Sequence, residues 1–206
     1  GRRGYFEETL YDTYGSVGSK LGGHPDLHKL PGIEANTGAL GHGLSIAAGM
    51  ALGLRAATNG GRVFTVLGDG ELPEGANWEG ASIASHHRLD NLVAFVDVNN
   101  LQISGPTAEV MNMEPIADKF AAFGWNTVTI DGNDIDAVLD AVSTADGEKG
   151  RPTVVVARTT KAKGISFLEG TLASHYWKPT AEELDRAERE VHARIDNLRE
   201  WNDHGS

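Results

Sequence analysis

Hydrophobic residues fall along the chain in short blocks divided by Gly, Pro and charged residues. Four blocks, Arg62–Leu67, Leu92–Val98, Thr127–Ile130 and Thr153–Ala157, are of strand length and rich in β-branched residues. The runs RVFTVL and LVAFVDV are near-continuously apolar, as in strands buried on both faces of a parallel sheet. Between the blocks lie three helical segments, Asn77–His87, Ile116–Phe123 and Ile135–Ser143. The stretch from Gly43 to Ala57 is small and apolar all round, which predicts a tightly packed internal helix. Thr180 and Glu183 form a capping box that opens a long, charged, amphipathic helix. Strands alternating with helices over short connections predict a doubly wound, parallel α/β sheet. The first forty residues are Gly-rich and irregular, and GGHPDLHKLPG reads as loop.

A chain of 206 residues suits one domain with a sizeable core. Its 29 acidic against 18 basic residues, net −11, argue against nucleic acid and anionic membrane as partners. An anionic ligand stays possible, because helix N-termini and metal ions bind phosphate without net basic charge. The absence of cysteine excludes disulfides and thiolate metal sites. No apolar stretch approaches the ~20 residues of a membrane span, and no signal peptide is visible, so the expectation is a soluble cytoplasmic protein.

In parallel sheets, ligands bind beyond the carboxyl ends of the strands. Gly68-Asp69-Gly70 follows the first apolar run and Asn99-Asn100 the second, with 28 residues between the two motifs. A carboxylate, an amide and a backbone carbonyl are hard oxygen ligands, suited to Mg²⁺ or Ca²⁺ rather than to Zn²⁺. Mg²⁺ commonly completes its octahedron with phosphate oxygens, so the motifs point to a metal–diphosphate anchor. The alternative is structural: a Gly-Asp-Gly turn, and an Asx-turn or helix cap at the asparagines.

Together with GGHPDLHKLPGIEANTGALGHGLSIAAGMALG, GDGELPEGANWEGASIA and TTKAKGISFLEG, these motifs carry a resemblance that covers nearly the whole chain. The chain resembles the N-terminal, diphosphate-binding half of transketolase, a thiamine diphosphate fold. The resemblance implies ketol transfer: a two-carbon unit passes from a ketose or ketose phosphate to an aldose, with thiamine diphosphate and Mg²⁺ (or Ca²⁺) as cofactors. It implies Mg²⁺ ligation by Asp69, Asn99 and the Leu101 carbonyl. Gly68 and Gly70 would lie at the diphosphate, Gly38 and Leu40 at the aminopyrimidine, and Ile103 under the bent cofactor. Glu74 would link the two active sites of a dimer, and His24 would hydrogen-bond the donor sugar. Without a cofactor, Leu40 and Ile103 read as ordinary core residues, Glu74 as a helix-start carboxylate and His24 as a loop stiffener.

Two departures from the family pattern stand out. Transketolases carry Trp-His-Gly-Lys-Pro late in this domain, where the sequence here is SHYWKP. Alignment on Lys178-Pro179 places Tyr176 at the histidine's position and His175 one residue earlier, so His175 is a candidate by proximity. The family's first segment also precedes Gly1, and residues 1–206 are expected to be the thiamine diphosphate domain lacking that segment. Residues 1–206 are not expected to include the family's pyrimidine domain. The expectation is therefore either a fragment or, as the favoured reading, one half of a split transketolase, active as a dimer of heterodimers with a C-terminal subunit. Rival readings are a deoxyxylulose-phosphate synthase or the α chain of a 2-oxoacid dehydrogenase, and a non-catalytic relative serving as a binding partner. His24 and Thr37-Gly38-Ala39-Leu40-Gly41 favour transketolase.

Overall fold

The structure is a computed structural model that describes residues 1–58 and 60–204, those beyond Asp196 as helical backbone only. After a 3-10 turn at Glu8–Thr13 and a loop reaching His42, the chain enters α1 (Gly43–Ala56). Then follow β1 (Val63–Gly68), α2 (Gly75–His86), β2 (Leu92–Val98), a two-residue hairpin of β3 (Leu101–Gln102) and β4 (Gly105–Pro106), and α3 (Thr107–Val110). The rest is α4 (Ile116–Ala122), β5 (Asn126–Asp131), α5 (Ile135–Gly147), β6 (Thr153–Arg158) and α6 (Ala181–His204).

Among the described residues the main sheet is ordered β1-β2-β6-β5, and every pair in it is parallel. Alternation of side chains sends Leu92, Ala94, Val96, Val154 and Val156 to one face, where α1, α2 and α4 pack on them through Leu44, Ala81, Ala84, Ile116 and Phe120. Val93 and Val155 point the other way, onto Ala141 and Ala145 of α5. Helices on both faces are the doubly wound arrangement expected from the alternating pattern.

Two expectations need correction. β1 is not buried on both faces: Phe64 is 49% and Val66 72% exposed. It is an edge strand, and α5 covers its neighbours in the sheet rather than β1 itself. Nor is α1 internal all round; Leu44, Ala47, Ala48 and Ala51 are buried, while Ile46 and Gly49 face outward. Small size on both sides of that helix reflects close approach to α2 on one side only. Ser45 Oγ, for example, donates to the Ala76 carbonyl at 3.0 Å.

An aromatic cluster locks α2 to α4. Trp78 lies 5.2 Å from Phe120 and 5.5 Å from Phe123, and the Trp125 indole donates to the Ala81 carbonyl at 3.0 Å. Trp78 also donates to the Leu72 carbonyl at 2.8 Å, which fixes the turn between β1 and α2. The capping box at the start of α6 is present, with Thr180 and Glu183 each accepting from the other's amide through its side chain. No helix among the described residues is long and apolar enough to cross a membrane.

Candidate functional site

Asp69 begins a 3-10 turn immediately beyond β1, and Asn99 follows the last residue of β2. The neighbouring strands end side by side, Gly68 pairing with Asp97, so the two motifs meet at the carboxyl edge of the sheet. Asp69 is 3% exposed. Its Oδ2 accepts from the Asn100 amide at 2.8 Å and the Thr107 hydroxyl at 3.3 Å, and its Oδ1 from the Gly70 amide at 3.0 Å. Burial pushes its carboxyl up from the ordinary range, against the pull of those three donors, and the like charge of Asp97 adds to the rise. A buried carboxylate with no cation paired to it among the described residues is costly, and a bound metal ion would offset that cost.

Asn100 adopts φ +63°, a left-handed conformation that asparagine tolerates, and this turns its amide back toward Asp69. Asn99 Oδ1 accepts from the Leu101 amide at 3.1 Å, which is the Asx-turn of the structural alternative. A side-chain oxygen has a second lone pair, so this bond leaves ligation open. Among the described residues no three His, Cys, Asp or Glu side chains gather as a metal cluster. What stands at the edge is one carboxylate with an amide oxygen and backbone nearby, a donor set that fits Mg²⁺ or Ca²⁺ carrying outside oxygen ligands.

Gly70 lets the neighbouring hairpin come close: a Cβ there would sit 2.7 Å from the Gln102 Cβ and clash with it. Gln102 belongs to the hairpin that packs on the Asp69 turn, and its Oε1 is buried without a partner. Leu101 and Gln102 are half-buried, and Ile103 at the hairpin tip is 62% exposed.

Across the turn lies a groove of about 570 Å³ whose lining includes His24, Thr37, Gly38, Leu40 and Glu71. His24 Nδ1 is 3.4 Å from the Thr37 hydroxyl, and the His24 ring packs against Gly38, which has φ +117°. The two sequence motifs Gly-His-Pro and Thr-Gly-x-Leu-Gly are therefore one local structure. Leu40 is 57% exposed, so neither it nor Ile103 is a core residue; the packing reading of both is overturned. Glu74 is the N-cap residue of α2 with no side-chain capping bond, and it is exposed. Its Cβ stands where a Cβ on Gly41 would come within 2.4 Å, so the Thr37–Gly41 loop rests against it.

His175 lies in a 3-10 turn, Leu172–Tyr176, that touches β3. Both it and Tyr176 are exposed, with rings 4.8 Å apart, so either can face the edge of the site. Sequence reasoning missed Thr107, Glu71, Gln102 and the fully buried Asn77, which donates to the Glu71 carbonyl at 2.8 Å. Glu71 and Asn77 lie within GDGELPEGANWEGASIA and Gln102 two residues past the asparagine pair, whereas Thr107 stands apart from every motif.

Buried carboxylate, strand-end amides and an apolar-lipped groove define an α/β domain with its ligand site at the carboxyl edge of a parallel sheet. Residues 5–192 match the family described as transketolase, thiamine diphosphate binding domain, and the chain belongs to that family. It is 41% identical over 200 residues to an apulose-4-phosphate transketolase subunit of Phocaeicola vulgatus, covering 97% of this chain and 71% of that one. It is 44% identical over 180 residues to the 6-deoxy-6-sulfo-D-fructose transketolase subunit SqwG of Clostridium sp., covering 87% of this chain and 66% of that one. Transketolase from Campylobacter jejuni superposes with a TM-score of 0.82 at 32% identity, covering 89% of this chain. The chain spans 30% of that enzyme's length.

Proposed function

We propose that this chain is the diphosphate-binding subunit of a split transketolase. It would act with a partner carrying the pyrimidine domain, and residues 1–206 would form its thiamine diphosphate domain. The observation that carries the reading is Asp69, a buried carboxylate at the strand ends with no cation partner among the described residues, held by the Asn100 amide. In this reading Asp69, Asn99 and the Leu101 carbonyl hold Mg²⁺. Gly68 and Gly70 admit the diphosphate, Gly38 and Leu40 receive the aminopyrimidine, and Ile103 supports the cofactor from below.

Thiamine diphosphate, when bound, supplies a carbon nucleophile and electron sink for cleaving the bond next to a ketose carbonyl. The chain's own contribution is position and charge. Asp69 would hold and orient the metal ion that compensates the diphosphate charge, and the apolar surfaces of Leu40 and Ile103 leave water on ligand binding. His24, braced against Gly38 and within reach of Thr37, offers a ring nitrogen to a donor hydroxyl at the groove. Glu74 joins paired sites across a dimer, and His175 closes the far edge. Two relatives are named for substrates with a 4-phosphate or a 6-sulfo group, which supports a ketose with a terminal anion as donor.

Purified chain would be mixed with its pyrimidine-domain partner in varied ratios and assayed for ketol transfer with thiamine diphosphate and Mg²⁺. Activity that appears only on mixing and saturates at a fixed ratio is expected. Full activity from this chain alone would refute the split-enzyme reading.

A further inference from the structure

Glu71 ends the 3-10 turn that Asp69 begins, and its carboxylate is shared between two distant stretches of backbone. Oε1 accepts from the Gly41 amide at 2.8 Å, across 30 residues of sequence, and Oε2 accepts from the Gly68 amide at 3.2 Å. Gly41 closes the Thr37–Gly41 loop with φ +82°, and it is buried against Glu74. Glu71's own carbonyl is held by Asn77, which has no solvent exposure. The carboxylate therefore sits on a turn fixed from behind and grips the loop in front. Both bonds are to an ionised acceptor, the stronger class of hydrogen bond.

We propose that Glu71 is a positioning residue that sets the separation between the Thr37–Gly41 loop and the Asp69 turn. The inference rests on the reading above, in which the loop receives the aminopyrimidine and the turn receives the metal–diphosphate. An elongated ligand that must reach both subsites gains from a fixed distance between them, because a loose loop must be ordered when the ligand binds. A ligand reaching only the turn gains less from Glu71, because the longer Oε2 bond to Gly68 is local to the turn, which Asn77 also holds. Asp69 is the anchor; Glu71 is the ruler.

The test compares two ligands on the full chain by calorimetry: thiamine diphosphate with Mg²⁺, and inorganic pyrophosphate with Mg²⁺. Glu71→Ala should weaken thiamine diphosphate about tenfold or more, the range for losing hydrogen bonds to a charged group, and leave pyrophosphate within about twofold. Glu71→Gln keeps one acceptor oxygen and turns an NH₂ toward the other amide, so its loss should be intermediate. That variant also guards against a misfolded alanine protein. Amide hydrogen exchange at Gly41, in the ligand-free chain, should quicken in both variants. Equal losses for the two ligands, or no loss for either, would overturn the proposal. If neither the unaltered chain nor its mixture with the pyrimidine-domain partner binds either ligand, the functional reading fails, and exchange at Gly41 alone then decides whether Glu71 clamps the loop.

Discussion

Asp69→Asn separates the chemistry of the site from its architecture. The replacement is nearly isosteric, and its remaining oxygen can still accept from Asn100 and Thr107, the two donors now on Oδ2. Its NH₂ would face the Gly70 amide in place of Oδ1, forfeiting one bond worth about 1 kcal/mol net. Against that, a buried negative charge whose pKa is raised by desolvation disappears, which favours the folded ligand-free state at neutral pH. The two effects oppose each other, so the ligand-free melting temperature should move by no more than about 3 °C. With ligand the outcome differs. Thiamine diphosphate and Mg²⁺ at a hundredfold excess over Kd stabilise a one-site protein by about 2.7 kcal/mol, or about 5–11 °C for a chain of this size. Asp69→Asn should erase that increment, since a neutral amide holds Mg²⁺ less firmly than a carboxylate and the diphosphate charge then lacks its counter-ion. Differential scanning fluorimetry, with and without Mg²⁺, reads both quantities in one plate. A Mg²⁺-dependent rise of full size in the variant would refute the metal assignment.

Three other perturbations probe different parts of the molecule. Leu40→Ser and Ile103→Ser should leave ligand-free stability within about 0.5 kcal/mol, as exposed positions do, yet weaken thiamine diphosphate measurably in calorimetry; unchanged affinity would remove both from the cofactor surface. His24→Ala should lower turnover of the assembled enzyme by about 10²–10⁴-fold with cofactor affinity unaltered, and near-normal steady-state kinetics would reduce it to a loop residue. Glu114, held below the usual carboxylate range chiefly by its hydrogen bond to Arg158, stabilises the fold above its unfolded pKa and loses that contribution as pH falls through the folded one. Glu114→Gln should therefore cost up to about 1 kcal/mol at pH 7 and nothing at pH 2–3 in urea melts, and an equal cost at both would rule out the ion pair.

Parts of this molecule that depend on local pattern are open to reading from the chain. Val-rich runs locate β2 and β6 because a strand buried on both faces has few polar positions to confuse with a loop. The pattern ends α5 four residues early, at Ser143 rather than Gly147, because Ala145 packs into the lower core and carries the helix onward. The β3–β4 hairpin, two residues to a strand, has no period to detect. In the site, Asp69 and Asn99 are visible from their positions after apolar runs. Thr107 and Glu71 are not, since their roles arise only when segments 38 and 30 residues apart meet in space. The exposure of Leu40 and Ile103 is equally hidden: an apolar residue in a sequence carries no mark of whether protein or a ligand covers it.

Strand order also dictates when each part can form as the chain leaves the ribosome. Asp69, Asn100 and Thr107 are joined within 38 residues, and β1 pairs with β2 directly. The other edge of β2 must wait for Thr153–Arg158, because β6, the last strand of this sheet to be made, inserts between β2 and β5. During elongation the Asp69 turn is thus complete some fifty residues of synthesis, a matter of seconds, before the sheet's centre closes. A nascent chain passes through a stage in which the anchor exists while β2 still presents a bare, Val-rich edge to whatever chaperones meet it.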